Sequence, residues 1–218
     1  MSLELEEETL NKMYNLHFPD YVLKMKEYAH ENNVPIIQDE GLSFLLSMIR
    51  ATQPKSILEI GTAIGYSASM MVLSSNACVT TIERDEKMHE ESIKNVKALD
   101  LESRIRLIYK DALLALDDVS DQKYDIIFID AAKAQYTNFF NLYSPLLTDK
   151  GIIITDNMLF HGVKLEDAKT RALRGLIRKL NNYTDFLLNH PDFETTIFNL
   201  GDGMALSTKR HSGLFPLK

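Results

Sequence analysis

Two aspartates, one asparagine and one lysine stand at spacings that suit metal-assisted proton chemistry. Asp130 ends the apolar run of Tyr124-Asp-Ile-Ile-Phe-Ile-Asp130, and Lys133 follows three residues later. Asp156 and Asn157 end a second run, Gly151-Ile-Ile-Ile-Thr155. Both runs read as short buried strands. Open parallel sheets bind ligands beyond the carboxyl ends of their strands. Neighbouring strands lie roughly 4.8 Å apart, so Asp130, Asp156 and Asn157 can converge. Three oxygen donors suit a hard divalent cation such as Mg2+, with Mn2+ or Ca2+ as substitutes. Beside such an ion, the Lys133 amine could take a proton. Read singly, Asp130 would cap a helix, Asp156-Asn157 would turn the chain and Lys133 would be a solvated charge. The coincidence of acids at two strand ends favours the cation.

Such convergence requires a particular scaffold. From Lys55 onward the pattern alternates between strand and helix. Strands are expected at 56–60, 78–83, 104–109, 124–129 and 151–155, with helices near 66–75, 85–99, 111–117 and 134–147. That alternation predicts an α/β fold, a Rossmann-like doubly wound sheet with helices on both faces. Ahead of it, 4–17, 20–32 and 39–52 read as helices, broken at Phe18-Pro19 and Val34-Pro35. Behind it come a long helix over about 167–189 and two strands, 193–199 and 204–208, joined by Gly201-Asp202-Gly203. The expected organisation is a helical appendage over 1–54, an α/β body over 55–210 and a tail over 211–218.

A second constellation concerns a cofactor. Ile57-Leu-Glu59-Ile-Gly61-Thr-Ala-Ile-Gly65-Tyr66-Ser67 is a strand, a glycine turn and a helix start. Glycine lets backbone approach a ligand closely, and a helix N-terminus offers unpaired N–H groups to an anion. Glu83 closes the next strand, where an acid can accept bonds from ribose hydroxyls. The spacing is not G-x-G-x-x-G, which disfavours a dinucleotide. A nucleoside without phosphates, its amino-acid carboxylate resting on Ser67 and nearby amides, suits this turn better.

With LEIGTAIGYS (58–67), FIDAAK (128–133), ITDN (154–157) and GDG (201–203), the chain resembles the class I S-adenosylmethionine-dependent, metal-dependent O-methyltransferases related to the catechol and caffeoyl-CoA enzymes. The resemblance spans essentially the whole chain and implies a seven-stranded sheet. It further implies that Ile37, Glu59, Gly61, Ser67, Glu83, Asp111, Ala112 and Asp130 bind S-adenosylmethionine. On the same footing, Asp130, Asp156 and Asn157 hold the metal and Lys133 is the base. IERDEKMHEES (82–92), AAKAQYTNFFNLYSPLL (131–147) and NHPDFETTI (189–197) are most similar to the branch that methylates 5-hydroxyuridine at the wobble position of bacterial tRNA. A 5-hydroxyuracil carries two adjacent oxygens, as a catechol does, so a small phenol is the alternative acceptor. Lys110, before Asp111, departs from the glycine common in the family.

Charge bears on that choice. The net charge is −7, yet residues 1–40 hold nine acids against three lysines, so the remaining chain is nearly neutral. Arg171, Arg174 and Arg178 form a stripe opposite the apolar face of the long helix, a candidate phosphate-tracking patch for tRNA. The lone Cys78 and the short apolar runs fit a cytoplasmic protein without a membrane partner. An apolar helical appendage on this fold suggests a homodimer. Phe160, His161 and Tyr136 are candidates for lining the acceptor site, or ordinary packing and surface residues.

Overall fold

A computed structural model describes residues 16–159 and 169–210. Seven strands form one sheet: β1 (Ser56–Ile60), β2 (Cys78–Glu83), β3 (Ile105–Tyr109), β4 (Tyr124–Ile129), β5 (Leu147–Thr155), β6 (Phe193–Phe198) and β7 (Met204–Lys209). Their spatial order is β3-β2-β1-β4-β5-β7-β6. The first five run parallel, while β7 pairs antiparallel with both β5 and β6. The order reverses between β1 and β4, and a ligand crevice is expected at that point.

The parallel strands are nearly continuous apolar runs because both faces are covered. On one face lie α1 (Asp20–Glu31), α2 (Asp39–Thr52), α3 (Tyr66–Leu73) and α4 (Glu86–Ala98). Val22, Met25, Leu42, Leu45 and Ile49 from the first two share one core with Ile57, Phe128 and Ile154. The other face is covered by α5 (Leu116–Val119), α6 (Tyr136–Tyr143) and α7 (Arg171–Leu188). There Phe140, Tyr143, Leu180, Tyr183 and Leu187 pack on Leu58, Ile127 and Ile153.

Three expectations change. Residues 111–115 form a turn rather than helix, since Asp111 carries its own cap: its carboxylate accepts the Leu113 N–H at 2.9 Å. The helix expected over 134–147 is split into a 3-10 turn (Lys133–Gln135), α6 and a second 3-10 turn (Ser144–Leu146), ended by Pro145. β5 begins at Leu147 instead of 151, pairing with Tyr124 ahead of a register shift. The helix expected over 4–17 and the tail 211–218 lie outside the described residues, apart from the two positions 16 and 17. Among the described residues no helix is long and apolar enough to cross a membrane.

Candidate active site

A cavity of about 630 Å³ opens at the carboxyl ends of β1, β2 and β4, where the strand order reverses. Its floor is the Ile60-Gly61 turn, and Gly61 sits at φ 102°. A Cβ there would collide with the Asp130 carbonyl, so only glycine lets the two strand ends lie this close. The Asp130 N–H donates to the Ile60 carbonyl at 2.9 Å, and the Asp156 N–H to the Ile129 carbonyl at 3.0 Å. These two bonds carry the sheet's register past the strand ends and bring the acids together.

Glu83 lines one wall. Its carboxylate accepts backbone N–H bonds from Ala63 at 2.9 Å and from Arg84 and Asp85 at 2.8 Å. Three donors fix its orientation: Oε1 takes the Arg84 and Asp85 bonds, while Oε2, with the Ala63 bond alone, keeps acceptor capacity for a hydroxyl in the cavity. Farther along, Asp111, Ala112 and Leu113 form the rim with Met88, Arg84 and Lys110. The Ala112 carbonyl is held by the Tyr143 hydroxyl, and Arg84 lies 3.7 Å from the Asp111 carboxylate. Lys110 turns outward to Asp118 at 2.7 Å, so this departure from glycine leaves the rim open.

At the opposite end, Val34 to Gln38 and the start of α3 close the cavity, with Ile37 and Ser67 both on its wall. Glu59 does not line it. It is fully buried beneath Ser67, whose hydroxyl donates to one carboxylate oxygen while the Thr81 hydroxyl donates to the other. Burial outweighs those two bonds and pushes Glu59 up to about 7. Any influence it has on a ligand passes through Ser67.

The four residues at the ends of β4 and β5 form one hydrogen-bonded cluster. Lys133 Nζ donates to Asn157 Oδ1 at 2.8 Å, and Asn157 Nδ2 donates to Asp130 Oδ1 at 3.1 Å. Asp156 Oδ1 accepts the Asn157 N–H at 2.6 Å. Asn157 adopts φ 62°, a left-handed conformation that asparagine tolerates and that turns its amide back toward Asp130. Burial raises the proton affinity of both aspartates; Glu59 adds to the effect on Asp130, and Asp130 to that on Asp156, while Lys133 offsets only part. Asp202, in the β6–β7 turn, also lines the cavity and raises both. The loop after Asn157 is pinned to that turn by Met158 N–H to Gly203 O at 3.0 Å and Leu159 N–H to Asp202 O at 2.7 Å.

The O-methyltransferase family pattern matches residues 18–210, nearly all of the described chain. The chain belongs to the O-methyltransferase family. It is an S-adenosylmethionine-dependent O-methyltransferase. It is 31% identical over 187 residues to a flavonoid 3′,5′-methyltransferase of Vitis vinifera, covering 80% of this chain and 77% of the relative. It is 25% identical to a caffeoyl-CoA O-methyltransferase of Populus kitakamiensis, over 83% and 80% of the two chains. A crystal structure of a candidate caffeoyl-CoA O-methyltransferase from Staphylococcus aureus is 37% identical and superposes with a TM-score of 0.89 over 95% of this chain and all of that one.

In this methyltransferase, Ile37, Gly61, Ser67, Glu83, Asp111, Ala112, Asp130, Lys133 and Asn157 line a single cavity, with Asp156 buried behind them. Arg171, Arg174 and Arg178 lie apart from it, exposed on α7. That helix packs against the Lys133–Gln135 turn. Tyr136 is a packing residue: it is buried, donates to the Asp156 carbonyl at 3.0 Å and meets Tyr183 edge-on. Phe160 and His161 lie outside the described residues. Sequence reasoning missed Gln38, Tyr66 and Asp202 as lining residues. For Asp202 a signal existed, an acid between two glycines; for Tyr66 and Gln38 none did.

Proposed function

We propose that this enzyme methylates one of two adjacent hydroxyl oxygens on a small phenol, with a divalent cation held by Asp130, Asp156 and Asn157. The observation that carries this is the Lys133–Asn157–Asp130 chain of hydrogen bonds, with Asp156 beside it, at the inner end of the cofactor cavity. The donor set fits a hard cation. Two carboxylates are buried side by side and a neutral amide oxygen lies next to them, with their charge only partly offset. No group of three or more His, Cys, Asp or Glu that could hold a metal occurs among the described residues, so this donor set depends on the Asn157 amide oxygen as its third member. When bound, the ion would supply the charge that gathers adjacent oxygens and acidifies a hydroxyl.

The chain's own residues do the rest. Glu83 and the Asp111-Ala112 rim hold the nucleoside, and Asp130 steadies the amino group of the methionine part. Lys133 Nζ takes the acceptor's hydroxyl proton. The acceptor oxygen attacks the sulfonium methyl in line, the C–O bond forming as the C–S bond breaks, and S-adenosylhomocysteine departs as a neutral thioether. Alignment of two bound reactants supplies a large part of the rate. The flavonoid and caffeoyl-CoA activities printed for the relatives support a phenolic acceptor.

A second reading has its own observation. Arg171, Arg174 and Arg178 are exposed along one stripe of α7, whose first turn contains no acidic residue. Cations at a helix N-terminus oppose the macrodipole, so the stripe suits a polyanion such as the tRNA carrying 5-hydroxyuridine at its wobble position. Methyl transfer from labelled S-adenosylmethionine to a catechol-type phenol and to tRNA bearing unmethylated 5-hydroxyuridine separates the two. The small-phenol reading expects efficient transfer to the phenol and none to the RNA. Transfer to tRNA that is lost on changing the three arginines to glutamine would reverse the assignment.

A further inference from the structure

Helix α4 buries three residues, Ser92, Asn95 and Val96, and two of them are polar. Asn95 is only 4% exposed, does not line the cavity and belongs to none of the roles above. Its amide is bonded at both ends. Nδ2 donates to the Ile64 carbonyl at 2.9 Å, and Oδ1 accepts the Tyr21 hydroxyl of α1 at 3.1 Å. A carbonyl can only accept, so Nδ2 must face Ile64 and Tyr21 must be the donor. One buried side chain thus joins α1, α4 and the turn after β1.

That turn is strained where it meets the cavity. Ala63 lines the cavity at φ 45°, a left-handed conformation that is unfavourable for a residue with a Cβ. Such conformations persist only where the surroundings over-determine them. Here the Gly65 N–H donates to the Thr62 carbonyl at 2.8 Å, closing a four-residue turn around Ala63 and Ile64. The Ile64 carbonyl and the Gly65 N–H belong to one peptide group, so Asn95 and Thr62 grip that group from two sides. The Thr62 hydroxyl is in turn bonded to the Thr81 hydroxyl at 2.6 Å. What the strained residue presents is its N–H, which donates to Glu83 Oε2 at 2.9 Å. The bonds to Oε1 come from Arg84 and Asp85, the next residues in the chain, and move with Glu83. Of the three, only the Ala63 bond ties the carboxylate to the turn after β1.

We propose that Asn95, oriented by Tyr21, is a positioning residue for the cofactor: it holds Ala63 in its left-handed conformation and so sets Glu83 Oε2 toward the ribose. The proposal rests on the cofactor being S-adenosylmethionine and on Glu83 holding its ribose. Asn95 acts only through the turn and takes no part in methyl transfer. Because Tyr21 stands in the first turn of α1, the helical appendage contributes to cofactor affinity from outside the cavity.

Calorimetry with two ligands tests this: S-adenosylhomocysteine, and its dideoxy analogue without the two ribose hydroxyls. The wild-type protein is expected to prefer the first by roughly 10-fold or more. Asn95→Ala should lower the affinity for S-adenosylhomocysteine by roughly 10-fold and leave that for the analogue nearly unchanged. Tyr21→Phe, at a half-buried position, should show the same selective loss at roughly 3-fold, and it decides the matter should Asn95→Ala fail to fold. In a Glu83→Ala background, Asn95→Ala should cost no further affinity, whereas a merely structural role would add its full effect. Equal losses on both ligands, no loss on either, or full additivity with Glu83→Ala would overturn the proposal. Wild-type protein indifferent to the hydroxyls would instead remove the ribose assignment of Glu83, and the proposal with it. Wild-type protein that binds neither ligand would remove the cofactor assignment itself.

Discussion

At the nucleoside end of the cavity the Glu83 carboxylate accepts three backbone N–H bonds, and the Ala112 carbonyl is held by Tyr143. At the inner end Asp130 and Asp156 share a buried corner with Asp202 nearby, and Lys133 and the Asn157 hydrogen bonds offset only part of the effect of burial. The first arrangement is complete within the chain. The second holds buried charge that Lys133 and Asn157 offset only in part, and both aspartates respond by holding protons more tightly. A site completed by its own backbone binds a neutral nucleoside by shape and hydrogen bonds. A site left with buried negative charge stores an unfavourable energy that a cation releases on binding.

The largest effect expected from this contrast is at Asp156. Asp156→Ala should lower turnover of a phenolic acceptor by roughly 100-fold or more, while affinity for S-adenosylhomocysteine changes little. An equal loss of cofactor affinity would show that the two ends are not separable. Next in size is Glu83→Gln, which removes charge from the proposed ribose contacts and should weaken S-adenosylmethionine binding by roughly 1.5–3 kcal/mol. Calorimetry should show that loss, and turnover at saturating cofactor should be largely kept.

A smaller effect concerns pH and the metal-free protein. Glu59, Asp130 and Asp156 all have proton affinities raised on folding, Glu59 to about 7 from an ordinary 4.5. Groups raised in this sense stabilise the fold most fully below their unfolded values. They lose that contribution as pH climbs through the folded values, toward and past neutrality for Glu59. Melting temperature in excess chelator should therefore fall as pH rises from 5 to 8. Adding Mg2+ should recover stability chiefly at the upper end, where the carboxylates are ionised. A melting temperature that rises over this interval in chelator would contradict the account of the inner end.

Much of this contrast was legible in the residues. Asp130, Asp156 and Asn157 each follow a run of buried β residues, so period and apolarity alone locate them at strand ends. Gly61 was legible as a turn, though the collision that requires glycine there depends on β4 lying alongside. Glu59 was harder. Only the resemblance marks it as a cofactor residue; its burial beneath Ser67 follows from side-chain direction in a packed sheet. The turn at 111–115 was misread as helix because Leu113, Leu114 and Leu116 suggest helical spacing, whereas the Asp111 cap and the exposure of Leu113 and Leu114 show a rim. The grip of Asn95 on the turn after β1 was invisible in sequence, since it joins residues that only the fold brings together.

The claim that the inner end is finished by a cation is tested most directly by turnover in chelator. Protein freed of metal should bind S-adenosylhomocysteine normally yet transfer no methyl group to a catechol-type phenol, and added Mg2+ should restore transfer. Full turnover in excess chelator, with the same cofactor affinity, would contradict it.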